Sequence, residues 1–485
     1  MNKTIKHISL VVLSLVLLGA CKKDYLDTTP TDNVNEETVF KSTEGAMVAL
    51  NGTYRWMYTY ITNHSNFGQK SIDLVLDLMG NDMVVHSAGY RWFNPDYDYT
   101  AAQSPVKDAH PERFWYYYYQ VINNVNRILA HLDAATGTQE DKDYIKGQAL
   151  ALRAHSYFYL INFWQHTYKG HENAPGVPLY TTPSTEGKPR GTLQQVYDQI
   201  NADLTEAETL LTGKSRQHIS HIGIEVVQGI HARVALQQEN YAAAADYAHK
   251  ARQDYSLMSK ADYTAGFGAI NGEWMWGLEV ISEQATVYAS FFSHIDPTAG
   301  GYASLGTQKK ITKALYDQIS DDDLRKQLFI TPGSGTSSLP DYTTMKFRLP
   351  VPGSWQGDYL LMRAGEMYLI EAEGLARTGK TAAAQQLLNE LVQPKYPAYN
   401  ATQAGTDLVN EILLQRRIEL WGEGFALLDI KRLKQSLNRP QGPGNHQLAL
   451  AGLFALPAED PKFLYKVPQD ELNNNHALSI ADQNP

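Results

Sequence analysis

Cys21 is the single cysteine among 485 residues, so no disulfide can staple any part of this chain. Whatever forms must be held by packing and hydrogen bonds. Hydrophobic residues make up 43% of the sequence, enough for a large core in one domain or in two or three ordinary ones. Their spacing selects the secondary structure. Phe114, Tyr118, Ile122, Val125 and Leu129 recur every three or four residues, which is one face of a helix. Ile145, Ala149, Leu152, Ser156, Tyr159 and Phe163 make a second such face. A helical pattern also runs from Ser42 to about Tyr60, and helices are expected over Leu193–Leu211, Ile222–Gln237 and Tyr241–Arg252. The last two are joined by a turn at Glu239-Asn240, and Ala244, Ala248 and Ala251 let them approach closely. The plan returns late in the chain: a helix over Tyr359–Arg377, a turn at Thr378-Gly379-Lys380, a helix over Thr381–Val392, then helical stretches over 407–421 and 424–436 interrupted near Gly422 and Gly424. Paired helices with short turns are similar to tetratricopeptide hairpins and predict a mainly α, superhelical scaffold. Residues 79–113, 262–357 and 438–462 break the pattern with Gly, Pro, Asn, Asp and aromatics, and long ordered loops tend to carry function. Within them Trp274 and Trp276 alternate on an expected strand, with at least one in the core.

The N-terminus reads as a targeting segment. Lys3, Lys6 and His7 precede an apolar run, Ile8–Leu18, too short to span a bilayer, and the run ends in Leu18-Gly19-Ala20-Cys21. Small residues before a cysteine resemble a bacterial lipobox, in which the thiol accepts the lipid. Residues 1–20 are expected to be a signal peptide and 21–40 a lipid anchor and polar tether, with 41–485 as a single folded domain.

Charge narrows the partners. The formal charge is −10, and loss of Lys3 and Lys6, with no acidic residue before Cys21, makes it −12. That excludes a basic stripe for nucleic acid and electrostatic docking on anionic lipid. The chain lacks an HExxH zinc helix, a P-loop, a GxSxG elbow and a cysteine nucleophile. His218-Ile-Ser-His221 offers two imidazoles, read as solvent-exposed rather than as metal ligands, since no third ligand is indicated. Asp321-Asp-Asp323 reads as acidic residues at a helix start with Arg325 as partner. Arg363 with Glu366, and Arg416 with Glu419 and Glu423, are spaced for ion pairs along helices; the rival reading makes Glu419 and Glu423 the acid and base of a glycosidase. No cofactor or metal is expected.

Six blocks in order carry a family resemblance. They are Cys21-Lys-Lys-Asp-Tyr-Leu-Asp-Thr-Thr-Pro30, Tyr118-Tyr-Gln-Val-Ile-Asn-Asn-Val-Asn126, Ala149-Leu-Ala-Leu-Arg-Ala-His-Ser-Tyr-Phe-Tyr-Leu160, Leu360-Leu-Met-Arg-Ala-Gly-Glu-Met-Tyr-Leu-Ile-Glu-Ala-Glu373, Arg416-Arg-Ile-Glu-Leu-Trp-Gly-Glu-Gly-Phe425 with Leu428-Asp-Ile-Lys-Arg432, and the closing Gln483-Asn484-Pro485. Together they resemble the SusD/RagB family of nutrient-uptake outer-membrane lipoproteins. Ala426 departs from the pattern, standing where an arginine is common.

The resemblance implies a SusD-like fold, with helical-hairpin regions at about 114–252 and 359–436 and a loop-rich ligand-binding half at about 60–113 and 262–357. It implies capture of an oligosaccharide or related nutrient, without catalysis, for a SusC-like TonB-dependent transporter, by a lipoprotein on the outer membrane facing the cell exterior. Ligand sites of the family are aromatic arcs on irregular segments. Thirty tyrosines, 8 tryptophans and 14 phenylalanines supply the rings. Tyr90, Trp92 and Phe93, interleaved with Asn81, Asp82, Arg91 and Asn94, form one candidate region; Tyr288, Phe292 and Tyr302 form another that could cross it in space. Flat sugar faces stack on rings while hydroxyls pair with amides and carboxylates. A tetratricopeptide-type scaffold that binds only proteins, and a lipid-anchored glycosidase, are the alternatives.

Overall fold

The computed structural model describes residues 36–485. The expected signal peptide, lipidated Cys21 and most of the tether lie outside the described residues. The tether's last residues differ from expectation: Glu36–Val39 is helical, Arg127 grips Glu36 at 2.7 Å, and Phe40 stacks on His131 at 5.1 Å.

Helices dominate. In chain order the long ones are α1 (Thr43–Trp56), α2 (Gln69–Leu78), α3 (His110–Leu132), α4 (Gln139–Trp164), α5 (Leu193–Leu211), α6 (Ile224–Gln237), α7 (Tyr241–Arg252), α8 (Ala364–Arg377), α9 (Thr381–Val392), α10 (Gly405–Glu419) and α11 (Ala426–Arg432). Their starts follow side-chain chemistry. Ser42, Thr138 and Asn240 accept hydrogen bonds from the first turns of α1, α4 and α7, and Thr192 with Gln195 closes a capping box on α5.

Helix α4 is the centre of the first half, buried at every position from Gly147 to Trp164 and packed between α3 and α5. A helix apolar on all sides has to be enclosed, and its polar residues have partners: Arg153 pairs bidentately with Asp203 at 2.6 and 2.8 Å, and Gln148 accepts from the Tyr54 hydroxyl at 2.8 Å. In the second half α7 packs on both α6 and α8. Ala244, Ala248 and Ala251 are buried in that seam as the spacing requires. At Gly374 a Cβ would lie 2.4 Å from the Tyr241 carbonyl, so only glycine permits the approach.

Short antiparallel strands join distant segments: β1 (Met83–Val85) with β5 (Lys309–Ile311), β2 (Pro175–Pro178) with β3 (Arg190–Thr192), and β4 (Trp274–Leu278) with β6 (Tyr359–Arg363). The helix expected from Tyr359 therefore begins only at Ala364. Pairing of residues 359–363 with 274–278 overrides the helical spacing, and both faces of β4 are covered, so Trp274 and Trp276 are both buried. The helix expected over 424–436 is confined to α11.

The ion pairs also run across the fold rather than along single helices. Arg363 contacts Glu273, Glu419 and Glu423 at 2.7, 3.0 and 2.8 Å. Arg325 joins Asp323 to Glu419, while Lys395 and Lys346 complete Glu419 and Glu423. Glu366 instead pairs with Arg233, and Arg416 with Asp429. Four cations thus meet four carboxylates in the core. Burial alone would raise the Glu423 carboxyl, but Arg363 and Lys346 hold it down at about 2; Lys395, Arg363 and Arg325 hold Glu419 far below the usual range. Both carboxylates are buried and engaged by cations, the arrangement of structural charges rather than of an acid and base open to a substrate. Arg325 does partner Asp323, at a short helical turn, as the sequence suggested.

Candidate functional site

The β1–β5 pairing decides which loops meet. It continues as His86 N donating to the Gln308 carbonyl at 3.0 Å, so the loop after β1 lies along the loop before β5. Ser87 Oγ donates to the Gly306 carbonyl at 2.8 Å. Gly89 has φ +47°, and a Cβ there would meet the Thr307 methyl at 2.1 Å, so the close approach needs glycine. Beneath them a short helix, Phe291–Ile295, is capped by Ser290, and Ser293 Oγ accepts from Tyr302 N at 3.2 Å.

Tyr302 is held at the middle of a cluster of rings. Its ring centroid lies 4.9 Å from Tyr90, 6.0 Å from Trp92, 5.3 Å from Tyr288, 5.8 Å from His64 and 4.9 Å from His294. Its hydroxyl is 2.6 Å from His64 Nδ1, and His294 Nε2 is 2.8 Å from the His64 carbonyl. Tyr302 is 6% exposed, whereas Tyr90 and Tyr288 are 61% and 43% exposed. The cluster is a platform: a buried hub with open rings around it. The Trp92 ring is partly enclosed, and its indole N–H is buried with no acceptor among the described residues. Arg91 is solvent-exposed, 3.9 Å from Asp98. Below the platform the buried Lys309 ammonium donates to the His294 and Thr307 carbonyls at 3.1 and 2.9 Å with no carboxylate beside it, and burial lowers its pKa to about 7. Burial, then Lys309, keeps His294 neutral.

Of the candidates read from sequence, Tyr90, Trp92, Tyr288 and Tyr302 are brought together, and the two regions do cross, while Arg91 turns to Asp98. Others are placed elsewhere. Phe93 is buried against Phe67, His110 and His294. Phe292 is buried beside Phe291 and Tyr359. Asn94 is buried at the start of a four-residue helix. Asn81 and Asp82 line a separate cavity of about 860 Å³ with none of the platform rings; Asp82 is clamped by Arg417 at 2.6 and 2.8 Å, and Asn81 Oδ1 accepts from Asn438 N. His64 is the ring that sequence reasoning missed. The polar run Thr62-Asn63-His64-Ser65-Asn66 marks only a loop.

The other candidate chemistry resolves into structure. His218 pairs with exposed Glu279, while His221, against expectation, is buried between Asn51 and Tyr144. Among the described residues no group of three or more His, Cys, Asp or Glu is arranged to hold a metal.

Comparison with known proteins places this geometry. Residues 24–236 match a family model described as starch-binding and associating with the outer membrane, and residues 352–485 match that of the SusD family. A SusD-like carbohydrate-binding protein from Bacteroides vulgatus is 30% identical, with a TM-score of 0.81 over 92% of this chain and 98% of that one. A SusD superfamily protein from Bacteroides thetaiotaomicron has a TM-score of 0.78 at 23% identity, covering 92% of this chain and all of that one. A SusD-like protein of Formosa agariphila is 24% identical over 91% of this chain and 94% of its own length.

Proposed function

The chain belongs to the SusD family, and from that premise we propose that it captures an oligosaccharide at the Trp92 platform, as an outer-membrane lipoprotein anchored through Cys21 and facing the cell exterior, and delivers it to a SusC-like TonB-dependent transporter. The observation that carries the ligand half is the convergence of Tyr90, Trp92, Tyr288 and His64 around Tyr302, drawn from three chain segments and open to solvent on one side. Open aromatic faces at Tyr90 and Tyr288 suit a ligand with flat C–H faces. The similarity to a carbohydrate-binding relative from Bacteroides vulgatus supports the same class. The anchoring half rests on the lipobox-like sequence. Among the described residues no helix is long and apolar enough to cross a membrane.

The test is calorimetry of the full chain, in detergent, against a glycan panel. Trp92→Ala is expected to weaken binding by about 1 kcal/mol, one stacked ring, with unfolding little changed. A protein-only scaffold would bind no glycan, and a glycosidase would release products. Unchanged affinity for every bound glycan would remove Trp92 from the site.

A further inference from the structure

A cleft of about 390 Å³ opens along one face of α3, sharing no residue with the Trp92 platform. Trp115, Tyr119, Ile122 and Asn126 recur every three or four residues and so line one side of the helix. The other walls are the segment Tyr180–Ser184 and the helix Gln469–Asn474. These walls are tied together. Asn126 Nδ2 donates to the Tyr180 carbonyl at 2.9 Å, and the Tyr119 hydroxyl to the Pro178 carbonyl at 2.8 Å. The Trp115 indole N–H donates to Glu471 at 3.3 Å, and Asn475 Nδ2 to the Lys188 carbonyl at 2.8 Å. A cleft cross-braced in this way is formed before any ligand arrives, which lowers the ordering cost of binding.

Its lining alternates rings with hydrogen-bonding groups. Trp115 and Tyr119 lie 4.9 Å apart, Tyr119 and Tyr180 lie 5.8 Å apart, and Tyr116 at the mouth is 45% exposed. Asn123 and Asn474 add amides, and Ser184 a hydroxyl. Glu112, Asp470 and Glu471 add carboxylates, while no Lys, Arg or His is among the lining residues. Cations stand behind this lining, Arg113 at 3.3 Å from Glu112 and Lys188 at 5.3 Å from the Tyr180 ring, while the carboxylates are what the cleft itself presents.

We propose that this cleft is a second carbohydrate-binding site, taking a neutral or amine-bearing sugar ring and rejecting uronates. The proposal rests on the reading of the chain as a glycan binder. Rings supply the stacking surface, amides and carboxylates take the hydroxyl protons, and the carboxylates repel an acidic sugar.

The experiment titrates the full chain with malto-, laminari-, xylo- and manno-oligosaccharides, glucosamine oligomers and oligogalacturonate. It uses the wild type and a platform variant carrying Tyr90→Ala, Trp92→Ala and Tyr288→Ala. The platform variant is expected to keep saturable binding of a neutral or glucosamine oligomer and none of oligogalacturonate. Adding Tyr116→Ala, a change at an exposed ring that leaves the core intact, should weaken the remaining binding roughly fivefold. Loss of all binding in the folded platform variant would overturn the second site and leave the first standing. An inert Tyr116→Ala would overturn its location, and oligogalacturonate bound as tightly as neutral oligomers would overturn the charge argument. No binding of any glycan by the wild type would overturn both readings.

Discussion

Tyr302 and Tyr288 belong to one platform, yet the structure assigns them opposite consequences when truncated. Tyr302 is 6% exposed, is surrounded by five rings within 6.0 Å, and holds His64 through its hydroxyl at 2.6 Å. Tyr302→Ala opens a cavity in that cluster and should cost about 3–5 kcal/mol of stability, as for other buried aromatics. Tyr302→Phe keeps the ring and removes one hydrogen bond, which should cost about 1 kcal/mol. Tyr288 is 43% exposed and stacks on His64 from outside at 5.9 Å, so Tyr288→Ala should lose well under about 1 kcal/mol of stability. Binding should sort the other way: Tyr288→Ala loses the stacking of one sugar ring, about 1 kcal/mol or roughly fivefold in Kd, while Tyr302→Phe loses less. Urea unfolding by near-ultraviolet circular dichroism, with calorimetric titration of the best glycan, reads both quantities. Equal destabilisation by Tyr288→Ala and Tyr302→Ala, or a Tyr288→Ala protein with wild-type affinity for all glycans, would refute the division into hub and rim.

Glu419→Gln leaves Arg325, Arg363 and Lys395 short of a buried carboxylate and should destabilise the fold by about 3–5 kcal/mol in urea; a loss below about 1 kcal/mol would mean the network is not desolvated. Lys309 titrates at about 7 in the fold against about 10.4 in the unfolded chain, so between these values the unfolded state holds more protons and stability rises with pH. The wild type should therefore gain several kcal/mol relative to Lys309→Met between about pH 7 and 10, and a pH-independent difference would contradict the lowered pKa of the buried amine. Cys21→Ala should release folded protein into the soluble fraction of cells lacking the transporter; membrane retention after a high-salt wash would contradict the anchor.

The helices were legible because their apolar spacing is local: α5, α7 and α9 occupy the residues the spacing marks. The exceptions have tertiary causes. Tyr359–Arg363 reads as helix in isolation, and only the distant partner 274–278 makes it a strand. That shift also explains the ion pairs, because Arg363 precedes α8 instead of lying within it and so reaches across to Glu273, Glu419 and Glu423. In the site, aromatic type was readable and depth was not. Trp92 and Phe93 are adjacent, yet one reaches the platform and the other the core. Asn81 and Asp82 precede Trp92 by about ten residues, but β1 intervenes, and its three residues alone carry the chain roughly 10 Å. His64 had no local signal, since its role comes from Tyr302, 238 positions away.

The division between hub and rim bears on how such a scaffold could change ligands. Tyr90 and Tyr288 make contacts on one side only, so replacing them alters the ligand surface at little cost to folding. Tyr302, His294 and Lys309 lie beneath them and fix where any rim residue is displayed, through the β1–β5 pairing and the carbonyls that Lys309 holds. The balanced network around Arg363 imposes the reverse condition on the core, where it ties residues of the 262–357 segment to the late hairpins: removing any one of its eight charges strands an opposite charge. Change is therefore tolerated at the rim and costly in the core. A surface that must match different sugars is best built from the first, and a rigid support from the second.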